Sequence, residues 1–383
     1  MAGVGIALPQ DALAAATNPA GMAMVGNRTD FGLDWFKPTR NTTVTGATPM
    51  AGTYDGNGTS NFFIPEFGYN KMMNPDMSLG VSVYGNGGMN TDYATNPFAG
   101  LGAGTNPAGV NLEQLFIAPT WSMKLNPTNA VGVSLNLAYQ TFEAKGLQAF
   151  GGFSNNNLAL TNNGKDSSTG YGLHLGWTGQ VTPNVTLGAT YQTKTKMGKF
   201  SKYSGLFAEQ GGFDIPETYG LGIAVKTTPD LTIAADIQQI NYSKVPSVGN
   251  PIDNLNSCAG VGPTCLGGSN GAGFGWKDVT AFKLGASYAY SQNLTLRAGF
   301  SANNQPIPNS QTLFNILAPA VIQEHMTLGA TWTLENKAEL SLGYMHAFKK
   351  TVNGSGSMAI VGGGEANLNM YEDSIGIAYG WKL

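Results

Sequence analysis

Three observations predict an all-β protein, a transmembrane antiparallel β-barrel of about fourteen strands with a plug in its lumen. Charged residues make up only 11% of the 383-residue chain, against roughly 25% in ordinary soluble proteins. No run of about 18 apolar residues supplies a membrane helix. Hydrophobicity instead alternates with period two through almost everything after residue 27, the mark of strands with one apolar and one polar face.

The strands are legible one by one. In NVTLGATYQT, Val185, Leu187, Ala189 and Tyr191 alternate with Thr186, Gly188, Thr190 and Gln192; VGVSLNLAY (131–139), NLTLRAGFS (293–301) and MTLGATWTL (326–334) repeat the pattern. The less apolar face carries Gly, Ser, Thr, Ala and Asn rather than charges. That suits a barrel interior, with Leu, Val and aromatics turned to lipid. Short turns with Pro, Asn or Asp at 73–76, 126–128, 182–184, 228–230, 291–293 and 335–337 alternate with long Gly/Asn/Ser-rich loops near 47–59, 86–110, 146–167, 199–211, 246–275, 305–320 and 351–367. This alternation gives the strand count and sets both termini on the short-turn, periplasmic side of a bacterial outer membrane. Tyr288, Tyr290, Trp332, Tyr379 and Trp381 gather near short-turn ends and are expected in an interfacial girdle.

Two domains follow: a plug over 1–27 and the barrel over 28–383. A barrel this wide is not filled by wall side chains alone. The opening PQDALAAATNPAGMAMVG (9–26) is Ala-rich and nearly uncharged. Ala12–Ala16 suit a short helix with Asp11 near its N-terminus; Pro19 ends it and Gly21 permits a tight turn. The competing reading is a disordered periplasmic tail. No cationic segment followed by an apolar run opens the chain, so an export signal is expected to have been removed.

The cysteines, Cys258 and Cys265, fall in a Gly/Pro-rich loop. They read as a small disulfide in an oxidising compartment or as two unpaired thiols; with no His or further Cys nearby, no zinc site is expected. A net charge of −3 with no basic stripe argues against nucleic acid.

Over most of its length the chain resembles the FadL-type outer-membrane transporters of long-chain fatty acids, which include toluene and xylene channels. The resemblance rests on ATNPAGMAM (16–24), GFDIPETYGLGI (212–223), GWKDVTAFKLGASYAYSQNLTLRAGF (275–300) leading to QPIPNS, and ELSLGYMHAF (339–348), in that order and spacing. It implies a fourteen-stranded barrel with an N-terminal hatch carrying the turn Asn18, Pro19, Ala20. It also implies capture of apolar cargo by extracellular loops, an internal pocket, and sideways exit where the third strand is kinked inward. The matching stretch is MSLGVSVYGNGGMNTDY (77–93), where Gly85, Gly87 and Gly88 interrupt the alternation. Glycines there mark a bend or bulge, or the start of the long second loop. Asn18, Pro19 and Ala20 are expected beside these glycines. The chain departs from the pattern in ending Trp381-Lys382-Leu383 rather than on an aromatic residue.

The expected partners are a fatty acid or other hydrophobic small molecule, and outer-membrane lipid with lipopolysaccharide; the chain is expected to act as a monomer with no cofactor or metal. Lys194, Lys196, Lys199 and Lys202 form a cluster that meets either a fatty-acid head group or lipopolysaccharide phosphates. An outer-membrane lipase would need a Ser activated by a base. Of His174, His325 and His346, the last lies in phase with the outer face, and no G-x-S-x-G accompanies it. A general diffusion porin would show a charged lumen; the inner face here reads as small and sparsely charged.

Overall fold

The computed structural model describes residues 1–102 and 104–383. Among the described residues, fourteen strands form the wall: β1 (Arg28–Thr45), β2 (Phe62–Met72), β3 (Met77–Tyr93), β4 (Ala108–Asn126), β5 (Asn129–Lys145), β6 (Asp166–Thr182), β7 (Val185–Gln192), β8 (Thr218–Lys226), β9 (Leu231–Ile240), β10 (Val279–Ser291), β11 (Leu294–Asn303), β12 (Glu324–Thr333), β13 (Glu339–Val352) and β14 (Glu365–Lys382). Two short pieces pair at the margin, Gly52–Asp55 with β1 and Lys196–Met197 with β6. Each strand pairs antiparallel with the next. β14 closes on β1 from Arg28 opposite Lys382 to Thr45 opposite Glu365, so the sheet has no free end. Closure removes the unpaired edges that an open sheet exposes.

Side-chain alternation fixes which way each strand faces. On β5, Leu135, Leu137 and Tyr139 are exposed on the outside while Ser134, Asn136, Ala138 and Gln140 are buried inside. A one-residue slip would turn the polar set outward, so the pattern pins the register. The expected loop 86–110 is shorter than the composition suggested, because residues 86–93 continue β3 in register with β4.

Residues 1–27 lie inside the barrel. The inward glycines of the wall mark their path. A Cβ on Gly176 would strike the Asn18 side chain, one on Gly132 the Pro19 backbone, and one on Gly188 the Ile6 carbonyl. The segment contains two short 3-10 turns, Ala14–Ala16 and Pro19–Ala23. Pro19 therefore opens the second turn rather than ending a helix. A proline loses nothing at the first helical position, where its missing N–H has no intrahelical partner. Asn18, in an extended conformation, caps the turn by accepting from the Ala20 N–H at 3.1 Å.

At the long-loop end, the strand tops and loops bury one apolar core. Phe98, Phe142, Phe150, Phe200, Tyr203 and Leu313 are all at most 2% exposed there. Burying a side chain of this size contributes about 1.5–3 kcal/mol. Aromatic rings pack in tilted and edge-on pairs, Phe142 with Phe207 at 4.6 Å, with Tyr203 at 4.8 Å, and Phe150 with Phe314 at 5.1 Å. The Cys258 and Cys265 sulfurs are bonded to one another in the loop that covers this core.

Candidate functional site

The core encloses an apolar cavity of about 30 Å³ among Val110, Phe142, Phe150, Phe207, Phe274 and Leu317. It is small because aromatic side chains from the loops fill it. A site for a drug-sized molecule spans roughly 300–1,000 Å³, far more than this cavity offers with the rings in these positions.

Below the cavity, the wall changes between β2 and β3. β2 pairs with β1 from Phe62 to Asn70. With β3 it pairs only from Phe67, opposite Val83, down to Met72, opposite Ser78. Both strands run on beyond that point without a shared ladder. β3 stays paired with β4 up to Tyr93, with a bulge between Gly85 and Gly87 that leaves Asn86 as the extra residue. The break is closed again above, where Gly58 N–H donates to Asp92 O and Asp92 N–H to Gly56 O, each at 3.0 Å. The result is a window framed by Phe62–Glu66 on one side and the Gly85–Gly88 stretch on the other. A bulge bends and twists its strand, and Pro65 in β2 has no N–H to offer a neighbour. At the inner lip a polar ladder leads away from the bulge: Asn86 Nδ2 donates to Gln114 Oε1 at 3.3 Å, Gln114 Nε2 to Gln140 Oε1 at 3.0 Å, and Gln140 Nε2 to Ser168 Oγ at 3.0 Å.

The N-terminal segment is tied to the wall from many sides. Asp236 Oδ2 on β9 accepts from the Gly5 and Ile6 N–H groups at 2.8 and 3.2 Å. Asp30 accepts from Ala12 N–H at 2.9 Å, and Ser82 Oγ donates to Ala12 O at 2.7 Å. Asn18 Nδ2 donates to Ile6 O and to Trp177 O. Asn18, Pro19 and Ala20 do not lie beside Gly85, Gly87 and Gly88 as expected from the sequence. They face Ser122, Gly132 and Gly176 on β4, β5 and β6, while β3 is met lower down by Ala12, through Ser82, and by Met22, over Gly80. The reason is steric: those wall positions carry glycine or serine and leave room for the proline ring and its turn.

The lumen is also less neutral than the sequence suggested. Beside the N-terminal segment, a polar cavity of about 530 Å³ is lined by Arg28, Asp30, Asp34, Glu66, Arg297 and Glu339, among others. Arg28 bonds Asp30 at 2.6 Å and Glu339 at 3.0 Å, which pairs part of the buried charge. Composition averaged over the chain hides this, because the charges come from strands far apart in sequence.

The lysines do not line the apolar cavity. Lys194 sits 3.4 Å from Asp214, Lys202 Nζ donates to Lys165 O at 2.8 Å, and Lys196 lies opposite the outward Tyr171. Lys196, Lys199 and Lys202 are exposed at the loop end of β7. His346 stands on the outer face, 2.8 Å from Asp373. Several residues of the site were not singled out by sequence reasoning, among them Pro65, Gln114 and Asp236. Pro65 left a readable signal, a proline within the strand-like FFIPEFGYN.

Wall, threaded segment and apolar cavity define a class: a transmembrane β-barrel whose lumen is occupied by its own chain and whose loop end is packed with aromatic side chains. The pattern of the outer membrane protein transport proteins (OMPP1/FadL/TodX) matches residues 1–380, and the chain belongs to that family of outer-membrane transporters for hydrophobic substrates. It is 22% identical over 331 residues to the long-chain fatty acid transport protein of Escherichia coli K12, covering 76% of this chain and 72% of that protein. Its fold is similar to the crystal structure of the toluene transporter TodX of Pseudomonas putida, with a TM-score of 0.70 at 18% identity over 97% of this chain and 94% of that one. It is similar also to a FadL homologue of Pseudomonas aeruginosa, with a TM-score of 0.74 at 15% identity over 99% and 96% of the two chains.

Proposed function

We propose that this protein takes up long-chain fatty acids or related apolar molecules across the outer membrane, and that cargo leaves sideways through the window between β2 and β3. The observation that carries this reading is the interrupted ladder above Phe67 and Val83. An apolar molecule gains nothing by entering water at the far end of the barrel. It gains roughly 25 cal/mol per Å² of surface by passing into lipid. In this reading the long loops capture cargo, the aromatic cavity holds it, residues 1–27 act as the hatch, and both termini face the periplasm. Exposed Lys196, Lys199 and Lys202 contact lipopolysaccharide phosphates, and one chain suffices for transport.

The test is a reversible lock. Cysteines at Ile64 and Gly85 should form a bond across the window and stop uptake of a radiolabelled fatty acid, with reduction restoring it. Undiminished uptake by the locked protein would show that cargo takes another way.

A porin-like reading draws on the polar cavity of about 530 Å³ beside the N-terminal segment. Steady large conductance of the unmodified protein in planar bilayers would favour it; a closed or flickering channel supports the lateral route.

A further inference from the structure

Arg40 on β1 is only 1% exposed, yet it is not paired as Arg28 is. Its Nη1 donates to Asn90 O at 2.8 Å and to Asn90 Oδ1 at 3.2 Å, and its Nη2 donates to Thr59 O. Its Nε is buried with no partner. The ring of Phe62 lies 6.0 Å from Cζ. Among the described residues no carboxylate comes within the 4.0 Å of an ion pair. The carboxylates that act on it from farther off are Glu372, Asp92 and Asp55. Two of these are already engaged, Asp92 by Thr59 Oγ1 at 2.8 Å and Asp55 by the Asn57 N–H at 2.9 Å. Glu372 comes from β14, opposite Pro38.

A guanidinium held out of water by neutral carbonyls alone is expensive, and its planar fork suits a carboxylate better than a peptide oxygen. Its position adds meaning. Asn90 and Thr59 belong to the outer margin of the window. One residue on, Thr91 Oγ1 donates to Leu317 O at 2.8 Å, and Leu317 lines the apolar cavity. Arg40 is thus two contacts from the cavity's lining: it bonds Asn90, and the adjacent Thr91 bonds Leu317.

We propose that Arg40 reads the carboxylate of acidic cargo, so that the channel selects long-chain fatty acids over uncharged hydrocarbons at the outer margin of the window. This deepens the lateral-exit reading and rests on it for the route, while the binding step can be measured separately. A charge-assisted bond to a carboxylate exchanges with the Asn90 and Thr59 carbonyls, which are neutral and individually weaker acceptors.

The experiment compares palmitate with its methyl ester and with 1-hexadecanol in binding to the purified, detergent-solubilised protein. The unmodified protein should prefer palmitate. Arg40→Gln should weaken palmitate binding by about tenfold or more and leave the ester and alcohol unchanged; Arg40→Lys should keep part of the preference. Equal losses for all three ligands would make Arg40 a structural tie across the wall and overturn the proposal. So would a change for none of them. Should Arg40→Gln fail to fold, the unmodified protein still decides: equal affinity for palmitate and its ester overturns the reading. If the Ile64–Gly85 lock leaves uptake intact while Arg40→Gln loses palmitate alone, the carboxylate reader stands and the lateral route falls.

Discussion

Ile64 on β2 and Gly85 on β3 face each other above the point where the ladder between their strands stops, and a Cβ added to Gly85 would lie 3.0 Å from Ile64 Cγ2. The absence of a side chain at Gly85 is what keeps the window narrow but unfilled. Gly85→Val puts two methyl groups into that space. Overpacking of this kind costs about 1–3 kcal/mol locally, too little to unfold a closed sheet. We expect a folded barrel that still binds fatty acid but loses most uptake. Normal growth of the variant on fatty acid as carbon source would count against the window as exit.

Asp236 holds the first residues of the chain through the Gly5 and Ile6 N–H groups. Asp236→Ala leaves two buried donors unsatisfied, at about 1–3 kcal/mol each. Residues 1–8 should then become accessible to protease while the wall keeps its heat-resistant gel mobility, and brief ion-conducting events should appear in bilayers. An N-terminus as protected as before would mean that Asn18 and Asp30 suffice to hold the segment.

Glu217, in the loop before β8, accepts from Tyr191 Oη at 2.6 Å, Asn241 Nδ2 at 2.7 Å and Lys244 Nζ at 3.0 Å. The Tyr191 bond, with those from Lys244 and Asn241, holds its carboxyl down at about 2, below its ordinary value of 4.5. A depressed carboxyl stabilises the fold above its unfolded value and loses that contribution as pH falls through the folded one. The 193–217 and 241–278 loops should thus stay joined at pH 4 and loosen only near pH 2. Glu217→Ala should raise the rate of proteolytic nicking in these loops at neutral pH with the barrel unfolding temperature unchanged. Nicking at the unmodified rate would remove Glu217 from the account.

Lys196, Lys199 and Lys202 lie away from the apolar cavity, so replacing all three by Gln should weaken lipopolysaccharide binding and its salt dependence without altering fatty-acid affinity. A matching loss of fatty-acid affinity would move the cluster onto the cargo path.

Strands and turns were readable because period-two alternation and Pro/Asn turns are local properties; β5 and β12 lie where VGVSLNLAY and MTLGATWTL placed them. The long-range placements were not readable. Arg40 sits in TRNTTV, and nothing in that stretch shows that β3 and the 56–61 loop fold over it. Asn18 meets Trp177 across 159 positions of sequence, a distance no local pattern spans. The bulge at Asn86 was legible as a glycine cluster, but the lost pairing with β2 needed both strands in view.

The inward glycines have a consequence for what happens when the first residues move. Gly132, Gly176 and Gly188 bear no side chain that could swing into the vacated space, and a closed hydrogen-bonded sheet does not contract. Segment and wall are therefore related as piston and bore. Withdrawing the one would leave a standing passage in the other, bare at these three glycines and lined elsewhere by inward side chains such as Ser134, Asn136 and Gln140.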